Sequence, residues 1–407
     1  MKFWTGIEQA FKRNGLRLFE KWLDRGIISP NFINLYEIRR ILVVRQHDQL
    51  GDFLLSTPVF RALRQFFPQA HIAVIARTYT AELAQNNEYI NEVLVVPEKL
   101  LWWTPAKIWR LLRGLWSGWD LAIVLNTVSH SLTSDLLAYF SGARYVLGSE
   151  HRVFPGCKRN FFYNLTARYF APAKPQSERN LDIVRHLGID TDDRSEVMTL
   201  TASEKLFAGN FLRQYNVAEK EVVIAMHPGA GKIHNRWPVE KFAELANALH
   251  RQFSVRLVLT WGPHENELGI NLCRRLSFDP IVVHGLSLRR LAALLTRAQV
   301  FICNDTGVMH LTAAAGTPLV AIFGPTDPLE WKPVGKKFIA VRGEKNSCEN
   351  VSVQQILQAV QSSLGHQLTP RREPPDEALS PTAGDWTDED TQSFLRRFVY
   401  KDEMKDA

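Results

Sequence analysis

Short apolar segments of strand length alternate with segments of helical periodicity along this chain, and they do so twice, which constrains the fold more than any other feature. In the first round Ile41 to Arg45, Ile72 to Ala76, Val93 to Val96 and Leu121 to Leu125 read as strands, and Asp52 to Phe66 and Pro105 to Trp116 as helices. After a less regular region from about Phe154 to Arg194, the pattern returns. Val222 to Met226, Val255 to Thr260, Ile281 to Val283, Val300 to Cys303 and Leu319 to Phe323 read as strands, and Val239 to Arg251 and Leu288 to Arg297 as helices. Strands that are apolar almost without interruption are buried on both faces, so each round predicts a parallel sheet covered by helices. With 407 residues the chain is long enough for two such cores.

Composition narrows the class. No apolar run approaches the roughly 20 residues of a membrane-spanning helix, and the four cysteines, Cys157, Cys273, Cys303 and Cys348, lack metal-ligand or disulfide-framework spacing, which suits a reducing cytoplasm. The start Met1-Lys2-Phe3 lacks the apolar core and small-residue cleavage site of a secretory signal. A net charge of +7 calls for an acidic partner. No helix-turn-helix, zinc-finger or RNA-recognition pattern accompanies that charge, so nucleic acid is not the expected partner. Residues up to about Arg25 place Trp4, Ile7, Phe11, Leu18, Phe19, Trp22 and Leu23 at near-helical spacing among Lys2, Lys12, Arg13, Arg17, Lys21 and Arg25. Such a basic amphipathic helix suits the headgroup region of an anionic bilayer, and equally a place on the body of the protein. Beyond Gly365 the composition turns to Pro, Arg, Glu, Asp and Ser, and Gln367 to Gly384 read as a linker or loosely held tail.

Chemistry concentrates in the loops that follow strands, where open parallel sheets bind ligands. The first strand runs into Gln46-His47-Asp48-Gln49-Leu50-Gly51-Asp52, which brings Asp52, with Asp48 as competitor, to such a position. The strand ending at Met226 runs into His227-Pro228-Gly229-Ala230-Gly231-Lys232, then Asn235-Arg236-Trp237-Pro238. Glycines there permit close approach of a pyrophosphate, and the cations suit its charge. The strand ending at Thr260 leads into Trp261-Gly262-Pro263-His264-Glu265, and the one ending at Cys303 into Asn304-Asp305-Thr306-Gly307 and a helix from about Val308 to Ala315. Asn304, Asp305 and Thr306 are residues that cap helices, Gly316 suits a left-handed stop, and the helix start is a natural seat for phosphate.

These motifs resemble glycosyltransferase family 9, the ADP-heptose:lipopolysaccharide heptosyltransferases, over roughly Ile41 to Ser363. The resemblance rests on Gly51-Asp52-x-Leu54-x-x-Thr57-Pro58 followed by Arg61-Ala62-Leu63-Arg64, on His227-Pro228-Gly229-Ala230 and Arg236-Trp237-Pro238, and on Asp305-Thr306-Gly307-x-x-His310 with Phe323-Gly324-Pro325-Thr326-Asp327-Pro328. It implies an α/β fold of the GT-B type, two facing Rossmann-like domains with parallel sheets. It implies an inverting transfer of heptose, or a related sugar, from an ADP-sugar to the lipopolysaccharide core, without metal or other cofactor, by a cytoplasmic enzyme peripheral to the inner membrane. Asp52 takes the family's general-base position, since the acceptor hydroxyl must lose a proton and a diphosphate leaving group needs none. Gly229, Lys232, Arg236, Glu265, Asp305, Thr306, Gly307 and His310 fall to the donor nucleotide, with Glu265 at the ribose, and Arg61 and Arg64 to the acceptor. Where the family commonly has a phosphate-binding lysine this chain has Asn235, leaving Lys232 or Arg236 as substitutes.

The expected organisation is a basic amphipathic segment over 1–35, an acceptor domain over 36–195, a donor domain over 196–365 and a polar, partly disordered tail over 366–407. Asp190-Thr191-Asp192 has the Asp-x-Asp pattern of a metal site in another glycosyltransferase fold, and its place between the domains makes it an ordinary turn. Two other readings stay open: a transferase using another nucleotide sugar for a different surface polysaccharide, and a non-catalytic sugar-nucleotide-binding protein at the membrane.

Overall fold

The computed structural model describes residues 20, 22–46, 49–98, 102–151, 153 and 157–371. Most of the basic amphipathic segment, Asp48, and the tail from residue 372 lie outside them. The chain divides into two compact units between Arg194 and Ser195.

The first unit is built on strands β1 (Arg40–Val44), β2 (His71–Arg77), β3 (Glu92–Val96), β4 (Leu121–Val124), β5 (Tyr145–Ser149) and β6 (Leu165–Ala167). They form one sheet in the order β3-β2-β1-β4-β5-β6, and every pairing is parallel. The second unit carries β7 (Val222–His227), β8 (Val255–Thr260), β9 (Ile281–Val283), β10 (Val300–Asn304), β11 (Leu319–Phe323) and β12 (Phe338–Arg342), in the order β12-β11-β10-β7-β8-β9. Counted from its own first strand this is the same order, and it is again parallel throughout. Both sheets therefore reverse direction of winding once, between β1 and β4 in one unit and between β7 and β10 in the other. A crevice opens at the carboxyl ends of strands at such a reversal. The central strands are buried as their sequences require: β4, β10 and β11 bury every residue.

Local chemistry explains where the elements break. The single helix expected over Asp52 to Phe66 is two, α1 (Leu50–Leu54) and α2 (Thr57–Phe66). Pro58 has no N–H to give the Leu54 carbonyl, and the Thr57 hydroxyl donates to that carbonyl instead at 2.7 Å. Helices α3 (Thr78–Ala84), α4 (Pro105–Leu115), α5 (Leu132–Phe140) and α6 (Gln176–Arg185) complete the first unit. Helices α7 (Ala202–Gln214), α8 (Val239–Gln252), α9 (Asn266–Cys273), α10 (Leu288–Leu295), α11 (Gly307–Ala314), α12 (Pro328–Trp331) and α13 (Val353–Leu364) belong to the second. Gly316 follows α11 with φ +87°, the left-handed stop its sequence calls for.

The ends of the described chain are tied to the units. Leu23 packs on the first core, Arg25 donates through Nη2 to the Ala143 carbonyl at 2.8 Å, and Trp22 stands 86 % exposed. At the other end the backbone N–H of Ser254 donates to Thr369 and that of Arg371 to Gln252. The polar tail expected from residue 366 is thus fastened as far as Arg371. Among the described residues no helix is long and apolar enough to cross a membrane.

Candidate functional site

In the second unit the winding reversal is stapled by Asn304, the last residue of β10. Its side chain is fully buried. Its Nδ2 donates to the carbonyls of Pro228 at 2.7 Å and Gly229 at 3.2 Å, and its Oδ1 accepts from the Trp237 N–H at 2.9 Å. One amide thus fixes the glycine loop after β7 and the Arg236-Trp237-Pro238 turn to the end of β10. Trp237 is the anchor of that turn: its ring is buried in the second core, and its indole N–H donates to the Val351 carbonyl at 2.9 Å.

Gly229 is required by what lies against it. A Cβ at this position would stand 2.0 Å from Glu265 Oε2 and 2.3 Å from its Cδ. Glu265 accepts from the Gly262 N–H at 2.9 Å, pairs with Arg236 Nη2 at 3.4 Å and has His227 Nε2 at 3.5 Å. Burial lowers the His227 pKa, with the Glu265 charge opposing it. Arg236 also donates through Nε to the Ala230 carbonyl at 2.9 Å, so its guanidinium braces the glycine loop. Lys232, four residues earlier, is exposed.

Asp305 follows Asn304, and its backbone N–H still pairs with β11, at Ile322. Its carboxylate accepts from Asn235 Nδ2 at 3.2 Å. Burial raises its pKa, against the opposing pull of groups that include His310 and Lys232. Asn235, where the resemblance leads one to look for a lysine, is buried and supplies a neutral donor to Asp305 in place of a cation. Thr306 occupies the N-cap position of α11 in an extended conformation and makes no side-chain capping hydrogen bond. Simple capping, the structural role open to Asn304, Asp305 and Thr306, is therefore not what these three side chains do. His310, one turn into α11, is buried, and its Nδ1 lies 2.9 Å from Glu196 Oε1. The structure thus gathers Gly229, Lys232, Arg236, Glu265, Asp305, Thr306 and Gly307 on the loops at one carboxyl edge, with His310 set behind them in the packing of α11.

In the first unit Asp52 lies in the first turn of α1 at the corresponding edge, partly exposed, and its carboxylate accepts from the Gln49 N–H at 3.3 Å. The buried Arg45 at the end of β1 donates to the carbonyl of Asp52 and to that of Leu125, which follows β4. It does in the first unit what Asn304 does in the second, joining the two loops at the reversal. The same edge carries His130, 2.6 Å from the buried Asp135, which also accepts from Asn160 at 3.0 Å and from the Tyr163 hydroxyl.

The acceptor role expected of Arg61 and Arg64 does not follow from their positions. Arg61 is buried, donating to the Asp193 carbonyl at 2.8 Å and pairing with the Asp193 carboxylate at 3.4 Å. Arg64 lies near the end of α2, where the chain has returned to the opposite edge of the sheet. It donates there to the Pro68 and Ala70 carbonyls at 3.0 and 2.7 Å. Both guanidinium groups hold the protein's own chain. Arg45 and Asn304 are what sequence reading missed, and the available signal was a strongly polar side chain ending an apolar strand. Among the described residues no group of His, Cys, Asp and Glu is arranged to hold a metal ion.

Two doubly wound parallel units, each with its polar loops at a winding reversal, are the architecture of the GT-B fold. The profile of glycosyltransferase family 9 (heptosyltransferase) matches residues 108–361, and the chain belongs to that family. It is 29% identical over 333 residues to lipopolysaccharide heptosyltransferase 1 of Escherichia coli K12, covering 79% of this chain and 99% of that one. It is 26% identical over 298 residues to lipopolysaccharide heptosyltransferase 3 of Escherichia coli, covering 71% and 85%. The solved E. coli heptosyltransferase WaaC with ADP superposes with a TM-score of 0.64 at 22% identity, over 80% of this chain and 99% of that one.

Proposed function

We propose that this glycosyltransferase moves a heptose from ADP-heptose to the growing lipopolysaccharide core, with inversion at the anomeric carbon. The observation that carries the reading is the stapled edge of the second unit. Asn304 holds a glycine loop, an exposed lysine and the uncapped start of α11 together, so free N–H groups and a cation converge where a diphosphate would lie. The relatives named as lipopolysaccharide heptosyltransferases, and the neighbour solved with ADP, support the choice of sugar, acceptor and nucleotide.

In this reading the second unit is the donor domain and the first the acceptor domain. Asp52 takes the proton of the attacking hydroxyl as it adds to the anomeric carbon, and the ADP leaves as an anion stabilised by Lys232 and the N–H groups around Gly229 and Gly307. Arg236, Glu265 and Asn304 keep that loop in shape before substrate arrives, and His310 with Glu196 fixes α11 behind it. The acceptor's lipid keeps it at a bilayer, so the enzyme works in the cytoplasm, peripherally bound to the inner membrane. Calorimetry tests the donor assignment: the protein should bind ADP in preference to UDP, and Lys232→Ala should weaken ADP binding about tenfold, the loss of one charge-assisted contact. Equal affinity for ADP in wild type and Lys232→Ala would remove the lysine from the site.

A further inference from the structure

Between Glu98 and Asp120 the sequence contains no acidic residue, yet it holds Lys107, Arg110 and Arg113 together with Trp102, Trp103, Trp109, Trp116 and Trp119, five of the chain's 11 tryptophans. Helix α4 lies within this stretch. Leu111, Gly114 and Leu115 are its buried residues. Gly114 seats it closely on β3, since a Cβ there would stand 2.3 Å from Leu94 Cδ2. With that stripe fixed inward, Trp109, Arg113 and Trp116, spaced i, i+4 and i+7, occupy the outward face. Trp109 is 62 % and Trp116 64 % exposed, in a helix whose outward positions a purely aqueous setting would fill with polar side chains. Trp116 donates its indole N–H to the Phe140 carbonyl at 2.9 Å, so that side chain is held in place beside another exposed aromatic residue, Phe140. The Arg113 guanidinium lies 5.2 Å from the centre of the Trp109 ring. Trp102 and Ile108 add further exposed apolar surface at the start of the helix.

We infer that the outward face of α4 docks on an anionic phospholipid bilayer, the exposed tryptophans entering the headgroup region and Arg110 and Arg113 facing lipid phosphates. The pattern is that of interfacial helices: amphipathic aromatic rings at headgroup depth and cations that gain from the negative surface potential. The absence of any carboxylate in the stretch is the charge complementarity such a surface requires, and it leaves nothing on the helix to repel the phosphates. This assignment rests on the peripheral membrane association proposed above and names the surface responsible.

Full-length protein is incubated with vesicles of phosphatidylcholine alone or with added phosphatidylglycerol, and binding is read by co-sedimentation and by the shift of tryptophan emission. The wild type should bind the anionic vesicles, more weakly as salt rises, and shift its emission to the blue. Charge reversal by Arg110→Glu and Arg113→Glu together should lower that affinity about 100-fold. Trp109→Ala with Trp116→Ala should also lower binding while leaving its salt dependence. Far-UV circular dichroism and thermal unfolding, read in parallel, should match wild type, since none of these side chains is in the core. If wild type binds and both variants bind equally well, the α4 assignment is overturned and the membrane association stands. If wild type binds no anionic vesicle, the association itself is wrong. If wild type sediments as a dimer that Trp109→Glu dissociates, the face belongs to a second copy and the lipid assignment falls.

Discussion

Replacing Gly229 with alanine separates the role of the glycine loop from that of its neighbours. The new Cβ would meet Glu265 at 2.0 Å from Oε2 and 2.3 Å from Cδ, far inside contact distance, and no atom outside that carboxylate is as close. The carboxylate is the end of a flexible side chain, so it must swing away. It then leaves the Gly262 N–H at 2.9 Å and Arg236 at 3.4 Å. A hydrogen bond to a charged group contributes about 1.5–3 kcal/mol, and the partly exposed ion pair adds less than about 1. Gly229→Ala should therefore destabilise the protein by about 2–3 kcal/mol. In a Glu265→Ala background the obstacle is gone, and the same change should cost less than about 0.5 kcal/mol, a coupling well above the usual non-additivity of distant sites. Urea unfolding of the four proteins measures the cycle, and calorimetry with ADP reports how the loop's disturbance reaches the nucleotide. A Gly229→Ala cost that is the same with and without Glu265 would show that the glycine is required for another reason.

The remaining predictions address catalysis and pH. Asp52→Asn should keep the fold and the affinity for ADP while lowering transfer about 10²-fold or more, the usual size of general-base loss, and near-normal turnover would reassign the base. His250 stacks on Phe278 with ring centroids 4.1 Å apart, and burial, with Arg371 and Arg256 adding repulsion, pushes its pKa down to about 4 from 6.5. The unfolded chain therefore binds this proton more readily, so the contribution of neutral His250 is fully present above pH 6.5 and is lost as pH falls toward 4. His250→Gln should flatten the stability profile between those values, and an unchanged acid slope would contradict the assignment.

The two parallel sheets were readable because their central strands are apolar on both faces and end in turn-forming residues. Val222 to Met226 and Leu319 to Phe323 left no other reading. Three strands were missed: β5 is fully buried but has only three apolar residues before Gly148 and Ser149, β6 is three residues long, and β12 lies at a sheet edge with every residue at least partly exposed. Helix α6, GlnSerGluArgAsnLeuAspIleValArg, is polar enough to pass for irregular chain, and its burial comes from packing that no local sequence states.

The loops of the candidate site were legible through residue order, because Gly229, Asp305 and Gly307 stand close behind the ends of strands. What those side chains touch was not. Arg61 and Arg64 look like free cations in sequence, and only the folded chain, which brings Asp193 to Arg61 and returns α2 to the far edge of the sheet at Arg64, reveals that they close hydrogen bonds to the chain itself. Asn304 looked like a cap, and its three hydrogen bonds reach residues 67 to 76 positions away, a separation that no local pattern encodes. The exposure of Trp109 and Trp116 likewise depended on which stripe of α4 the sheet would take.

Incubation of the purified protein with ADP-heptose and a lipopolysaccharide-core acceptor, read by mass spectrometry of the acceptor and by the anomeric configuration of the new linkage, tests the central claim most directly. The account predicts a gain of one heptose residue, attached with inversion, in wild type and its near loss in Asp52→Asn. Transfer from a different nucleotide sugar but none from ADP-heptose, or ADP-heptose bound and left intact in the presence of every core acceptor, would contradict it.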